Sequence, residues 1–86
     1  QNYPNPFNPT TVISYQLSVV SEINLSIFDV SGRQVRELVD ARQSAGAYEV
    51  QWDGRNTRGE AVTSGIYFCT LTDGSQRQTR RMILMR

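Results

Sequence analysis

The sequence predicts a small all-β protein, an antiparallel sandwich of about seven short strands. Three observations carry this expectation. Apolar residues recur at alternate positions in several stretches, the spacing of half-buried strands. Turn signals rich in Gly, Asn, Asp and Ser separate those stretches at intervals of about 8–12 residues. The chain has 86 residues, enough for one domain. Together these point to a sandwich in the style of immunoglobulin or fibronectin type III domains. The antibody-type Cys…Trp…Cys pattern is absent, which leaves Trp52 as a large core anchor with no disulfide beside it.

The opening residues, Gln1-Asn2-Tyr3-Pro4-Asn5-Pro6-Phe7-Asn8-Pro9, hold all three prolines of the chain. Proline lacks an N–H, fixes φ and pushes the preceding residue to extended geometry, so this segment is neither helix nor central strand. Tyr3 and Phe7 are expected to pin it to the body of the domain. Residues 1–10 therefore read as an extended lead-in and residues 11–86 as the sandwich. With no signal peptide and no initiating Met, Gln1 reads as a cut point in a longer protein.

The strands follow in order. Ile13, Tyr15 and Leu17 share one face of the first. Ile23, Leu25 and Ile27 alternate with polar residues in the second, as in a strand with one wet face. Phe28 and Val30 shift that phase, which predicts a bulge or bend near Phe28. Ser31-Gly32 marks a turn. Residues 34–41 carry Val35, Leu38 and Val39, a spacing compatible with a helical turn or a strand, and the β context favours strand. Gly46 opens a strand in which Tyr48, Val50 and Trp52 alternate. Residues 53–60 form a loop rich in Gly and Asx. Residues 66–72 are apolar enough for a central strand. Asp73-Gly74 signals a two-residue hairpin, and residues 76–85 close the fold.

Composition narrows the function. The formal net charge is +1, which gives no electrostatic case for nucleic acid. All nine basic residues are arginine. No apolar run approaches the ~18 residues that a membrane-spanning helix needs. The chain has no histidine, which removes Ser-His-Asp and Cys-His nucleophile activation and most zinc sites. Cys69 lies in an apolar run and reads as a small buried hydrophobe. Gly54 and Gly59 lack the Gly-Lys-Ser/Thr element of a phosphate-binding loop. Asp53, Asn56 and Glu60 have oxygens suited to Ca²⁺, but their spacing is not that of an EF-hand, and a hydrogen-bonded Asx loop explains the same residues. No cofactor and no catalysis are expected.

Six pieces recur in order along nearly the whole chain: Tyr3-Pro4-Asn5-Pro6-Phe7-Asn8-Pro9-Thr10-Thr11; Ile27-Phe28-Asp29-Val30-Ser31-Gly32-Arg33; Gly46-Ala47-Tyr48; Trp52-Asp53-Gly54-Arg55-Asn56 with Gly59; Ser64-Gly65-Ile66-Tyr67-Phe68; and Arg80-Arg81-Met82-Ile83-Leu84. In these the chain resembles the type A C-terminal sorting domain of type IX secretion, which is related to the immunoglobulin-like domain of the flagellar hook-capping protein. The family tail often carries lysines where Arg80 and Arg81 stand.

The resemblance implies a module that is fused behind a cargo and recognised by an outer-membrane translocon and a cell-surface sortase. The cargo would pass through the periplasm and across the outer membrane to the cell surface. The expected recognition residues are the closing strand and tail, Arg80, Arg81, Met82, Ile83, Leu84, Met85 and Arg86. Strand addition at a sheet edge is an inexpensive mode of recognition because the main chain supplies the hydrogen bonds. Gly46 with Tyr48 and Gly65 with Tyr67 are further candidates, with turn formation and core packing as their plainer roles. The alternatives are a structural or carbohydrate-binding accessory module of a secreted enzyme, or a scaffold domain like that of the hook cap.

Overall fold

The computed structural model describes residues 10–85. The expectations for residues 1–9 and for Arg86 lie outside the described residues.

Alternation makes the first strand. In β1 (Thr11–Leu17) Ile13, Tyr15 and Leu17 are buried and the intervening Val12, Ser14 and Gln16 are exposed. In β2 (Ser21–Phe28) the inward residues Ile23, Leu25 and Ile27 are almost completely buried. Each contributes about 1.5–3 kcal/mol by leaving water. The remaining strands are β3 (Gln34–Gln43), β4 (Gly46–Trp52), β5 (Gly65–Thr72) and β6 (Arg77–Leu84).

All pairing is antiparallel. β1 and β4 form a two-stranded sheet, and the other four form a sheet in the order β3-β2-β5-β6. The sandwich prediction holds, with six strands among the described residues. Ala61 contributes only an isolated bridge to Arg55 between β4 and β5. The core lies between the sheets: the β1 and β2 residues above, Trp52, Tyr67, Cys69 and Leu84.

β3 explains its own ambiguous spacing. Its register against β2 slips twice, between Leu25 and Ser26 and between Ile27 and Phe28. The residues passed over are Leu38 and Val35, so both bulges lie on β3. An extra residue resets the inside–outside parity of a strand. Val35, Leu38 and Val39 can therefore all pack against the core despite a spacing that resembles one helical turn. The bend expected near Phe28 is there, on the strand opposite it.

The hairpin after β5 differs from the two-residue turn that Asp73-Gly74 predicts. Thr72 pairs with Arg77, so the loop has four residues, 73–76. The Asp73 carboxylate closes it, with Oδ1 accepting from the N–H of Ser75 at 3.1 Å and of Gln76 at 2.8 Å. Asp29 does the same at the turn after β2, accepting from the N–H of Ser31 at 2.9 Å and of Arg33 at 3.0 Å. Side-chain closure of this kind lets an Asx residue replace a backbone turn.

The register fixes the poles of the sandwich. β1 begins, and β2, β4 and β6 end, at one pole, which also carries the segments 29–33 and 53–64. The loops 18–20, 44–45 and 73–76 lie at the other.

Candidate functional site

Among the described residues β6 is the outer strand of the larger sheet and pairs only with β5, without a register break from Gly65↔Leu84 to Thr72↔Arg77. Its side chains alternate between the two faces. Met82 is half-buried against the core and Leu84 is 2% exposed. Arg80 shares the inward-facing parity of Met82 and Leu84 but remains exposed, opposite buried Cys69 in β5. Arg77, Arg81 and Ile83 take the opposite parity. Ile83 is 63% exposed, and Met85, just past the strand, is 76% exposed. Among the described residues the two ion pairs are Arg36 with Asp53 and Arg42 with Glu22, so the β6 arginines are in neither.

The predicted tail candidates therefore divide. Arg80, Arg81, Ile83 and Met85 form an exposed edge. Leu84 belongs to the core, and Met82 packs against it.

The two Gly-x-Tyr pieces are structural devices of one design. Gly46 has φ +151° and Gly65 φ +155°, and each opens a strand. A Cβ added at either would meet no other atom within 4 Å. It is the backbone conformation, not close packing, that calls for glycine here. Two residues on, each tyrosine donates its hydroxyl to a carbonyl four residues upstream: Tyr48 to Ser44 O at 2.6 Å, and Tyr67 to Thr63 O at 2.7 Å. Each ring is also held from the side. Tyr48 stacks on Tyr15 with centroids 5.3 Å apart, and Tyr67 meets Trp52 edge-on. These bonds tie each strand to the segment that enters it. Gly65 and Tyr67 lie beside β6, opposite Leu84 and Met82, and Tyr48 lines a groove with Arg80.

Residues 53–60 turn their polar atoms onto one another. Asp53 Oδ1 accepts from the Arg36 guanidinium and from the Arg55 N–H, both at 3.1 Å. Asn56 Oδ1 accepts from the N–H of Arg58 and of Glu60, while Asn56 Nδ2 donates to Glu60 Oε1. The Trp52 indole N–H donates to Arg55 O at 2.9 Å. The three candidate calcium residues thus serve loop closure. No group of three His, Cys, Asp or Glu side chains is placed to hold a metal among the described residues.

Three kinds of titratable group are shifted. Burial pushes the Cys69 thiol up to about 11, with the Arg80 charge pulling weakly the other way. Burial also raises Tyr15, against its bond to Gln43. The Asp29 carboxyl is held down first by the Ser31 hydroxyl, and that of Asp73 first by the Gln76 N–H. A buried, proton-retaining thiol is a poor nucleophile.

Sequence reasoning missed the outer face of the larger sheet. Most aromatics do point inward, but Phe28 and Phe68 are direct cross-strand partners of opposite parity to buried Ile27 and Tyr67. They lie on the face away from the core, flanking an open depression with Val30, Thr72 and Arg77. Phe68 sits between buried Tyr67 and Cys69, and that alternation was the available signal. Ser26 occupies the same face and is 2% exposed, with its hydroxyl donating to Asn24 Oδ1 at 2.7 Å.

Solved structures with this fold include FlgD from P. aeruginosa. It matches with a TM-score of 0.67 at 24% identity, over 87% of this chain and 59% of that one. PorZ, an essential bacterial surface component of the type-IX secretion system of Porphyromonas gingivalis, matches with a TM-score of 0.56 at 20% identity, over 87% of this chain and 11% of that one. At these identities the likeness is one of fold. No curated protein matches the chain. The sequence model of the FlgD Ig-like domain matches residues 6–76. Since that match spans most of the 86 residues, the chain belongs to the FlgD Ig-like domain family.

Proposed function

We propose that this domain is a sorting module, which directs a covalently fused cargo through type IX secretion across the outer membrane to the cell surface. The observation that carries the reading is the β6 edge. An unbroken outer strand presents Arg80, Arg81 and Ile83, and Met85 follows it, on a framework tied by two tyrosine bonds. A framework with an unbroken outer strand at its edge suits a module that works by being recognised. The fold that the chain shares with a type-IX surface component gives secondary support. In this reading the translocon and a surface sortase are the partners, and the domain performs no chemistry.

The test fuses residues 1–86 to a reporter in a host with type IX secretion. Export of the reporter to the surface is expected. Retention in the periplasm, while an established sorting domain exports the same reporter, would reject the proposal.

Phe28 and Phe68 favour a second reading, a carbohydrate-binding module. Trp52 is 1% exposed, so its fluorescence is blind to a ligand on the outer face. Retention on immobilised polysaccharide that is abolished by Phe68→Ala would support this reading, and equal retention of both proteins would reject it.

A further inference from the structure

The molecule treats its lateral edges unequally. On one side, β3 carries two bulges, and its charges are of both signs: Arg36, Glu37, Asp40 and Arg42. Arg36 and Arg42 are in ion pairs, and Glu37 accepts a hydrogen bond from Asn24 Nδ2 at 2.8 Å. Bulges and charges are the usual devices that stop a foreign strand from pairing with a sheet edge. On the other side, β6 has no register break and no proline. Its charges are Arg77, Arg80 and Arg81, with no acid among them.

β1 borders the same side. It is uncharged, and among the described residues it pairs only with β4, which leaves its other edge without a partner strand there. A two-stranded sheet over a four-stranded one leaves the inner face of β6 partly uncovered. Arg80 stands in that gap. It lines both the small cleft it shares with Tyr15, Leu71 and Gln78 and the wider groove it shares with Ser14, Gln16 and Glu49.

We propose that this β1–β6 seam receives an extended acidic segment of a partner protein as an added strand. The segment pairs its main chain with the free edge of β6. Neighbouring carboxylates of the segment meet Arg80 on the inner face and Arg81 on the outer face. Period-two alternation makes this match natural, because successive residues of an added strand also point to opposite faces. Main-chain bonds supply the affinity, and the arginines select against basic or neutral segments. This names the partner chemistry of the edge on which the sorting proposal rests.

The test is direct binding, which needs no secretion apparatus, so its failure is distinct from failure of export. A fluorescent peptide in which pairs of glutamate alternate with pairs of valine is titrated with residues 1–86 and followed by anisotropy. Saturable binding is expected, weakened at least ~10-fold by Arg80→Glu, with circular dichroism confirming that the variant keeps its fold. Two further peptides carry N-methyl groups on every second residue, in opposite phases. A paired strand uses only alternate N–H groups on one edge, so one phase should bind and the other fail. Three results would overturn the proposal: no saturable binding, equal binding of the matching lysine peptide, or indifference to methylation in both phases. Indifference to methylation together with full displacement by heparin would identify the seam as a general anion surface and would equally defeat the proposal.

Discussion

The Tyr67 ring meets the Trp52 indole edge-on, with centroids 5.3 Å apart and planes at 68°. This contact joins the smaller sheet to the larger at the pole where β1 begins and β6 ends. Each ring is also anchored by a polar atom, Trp52 Nε1 on Arg55 O and the Tyr67 hydroxyl on Thr63 O. The pair therefore fixes both the core and the 53–64 segment at that pole, close to each of its ends. Trp52→Ala should cost about 3–5 kcal/mol, the usual loss for an aromatic deleted from a core. Tyr67→Phe keeps the ring and leaves Thr63 O without that bond, for a loss of about 1 kcal/mol. Urea denaturation of the two variants checks the ranking.

The strand-opening glycines should tolerate a methyl group sterically but not conformationally. Gly46→Ala and Gly65→Ala place a Cβ in open space at φ +151° and +155°. Backbone strain of this kind costs about 1–3 kcal/mol, with up to about 1 kcal/mol regained from a stiffer unfolded chain. Net destabilisation of both variants is expected in thermal melts. If either melts at or above the parent temperature, backbone conformation is not what calls for glycine there.

Cys69 should be silent toward thiol reagents in the folded protein and reactive once denatured. Burial raises its pKa from 9.0 to about 11. The folded state thus holds this proton more tightly than the unfolded one. Stability from this group is full below pH ~9 and falls by about 2 kcal/mol as pH rises toward ~11. Tyr15, also raised by burial, adds a loss of the same sign as pH climbs past the ordinary tyrosine value of 10.0. Denaturation at a series of alkaline pH values should show this limb, and Cys69→Ala should diminish it.

Acid acts through the two turns. The carboxyls of Asp29 and Asp73 are both depressed by the hydrogen bonds that they accept. Their contribution is present above the ordinary carboxyl range and is lost as pH falls below it, through their depressed folded-state values. Asp73→Ala should flatten the acid limb and loosen the β5–β6 hairpin, which amide hydrogen exchange at residues 75–77 would register.

The strands were largely legible because period-two burial is a local signal. Ile13, Tyr15 and Leu17, or Tyr48, Val50 and Trp52, need only their own alternation to be placed. β3 was ambiguous because its parity is reset by two bulges, which depend on β2 lying alongside. The length of the hairpin after Thr72 was missed because the Asp73 side chain closes a longer loop. The paired phenylalanines were missed because Phe28 meets Phe68 only through the β2–β5 register, a relation across forty positions of sequence. The Gly-x-Tyr pieces were visible as a repeated offset, and the carbonyls that they reach were not.

The division of the tail decides how its role is tested. Deleting residues 82–86 would remove Leu84 from the core and half-buried Met82 with it, so loss of export would report unfolding. The most direct measurement is surface export of a reporter fused to residues 1–86, compared with the same fusion carrying Arg81→Glu and Ile83→Glu, both exposed positions of β6. With melting temperature and circular dichroism unchanged, export should fall at least ~10-fold. Export at the parental level from that folded variant would refute a sorting role for the β6 edge.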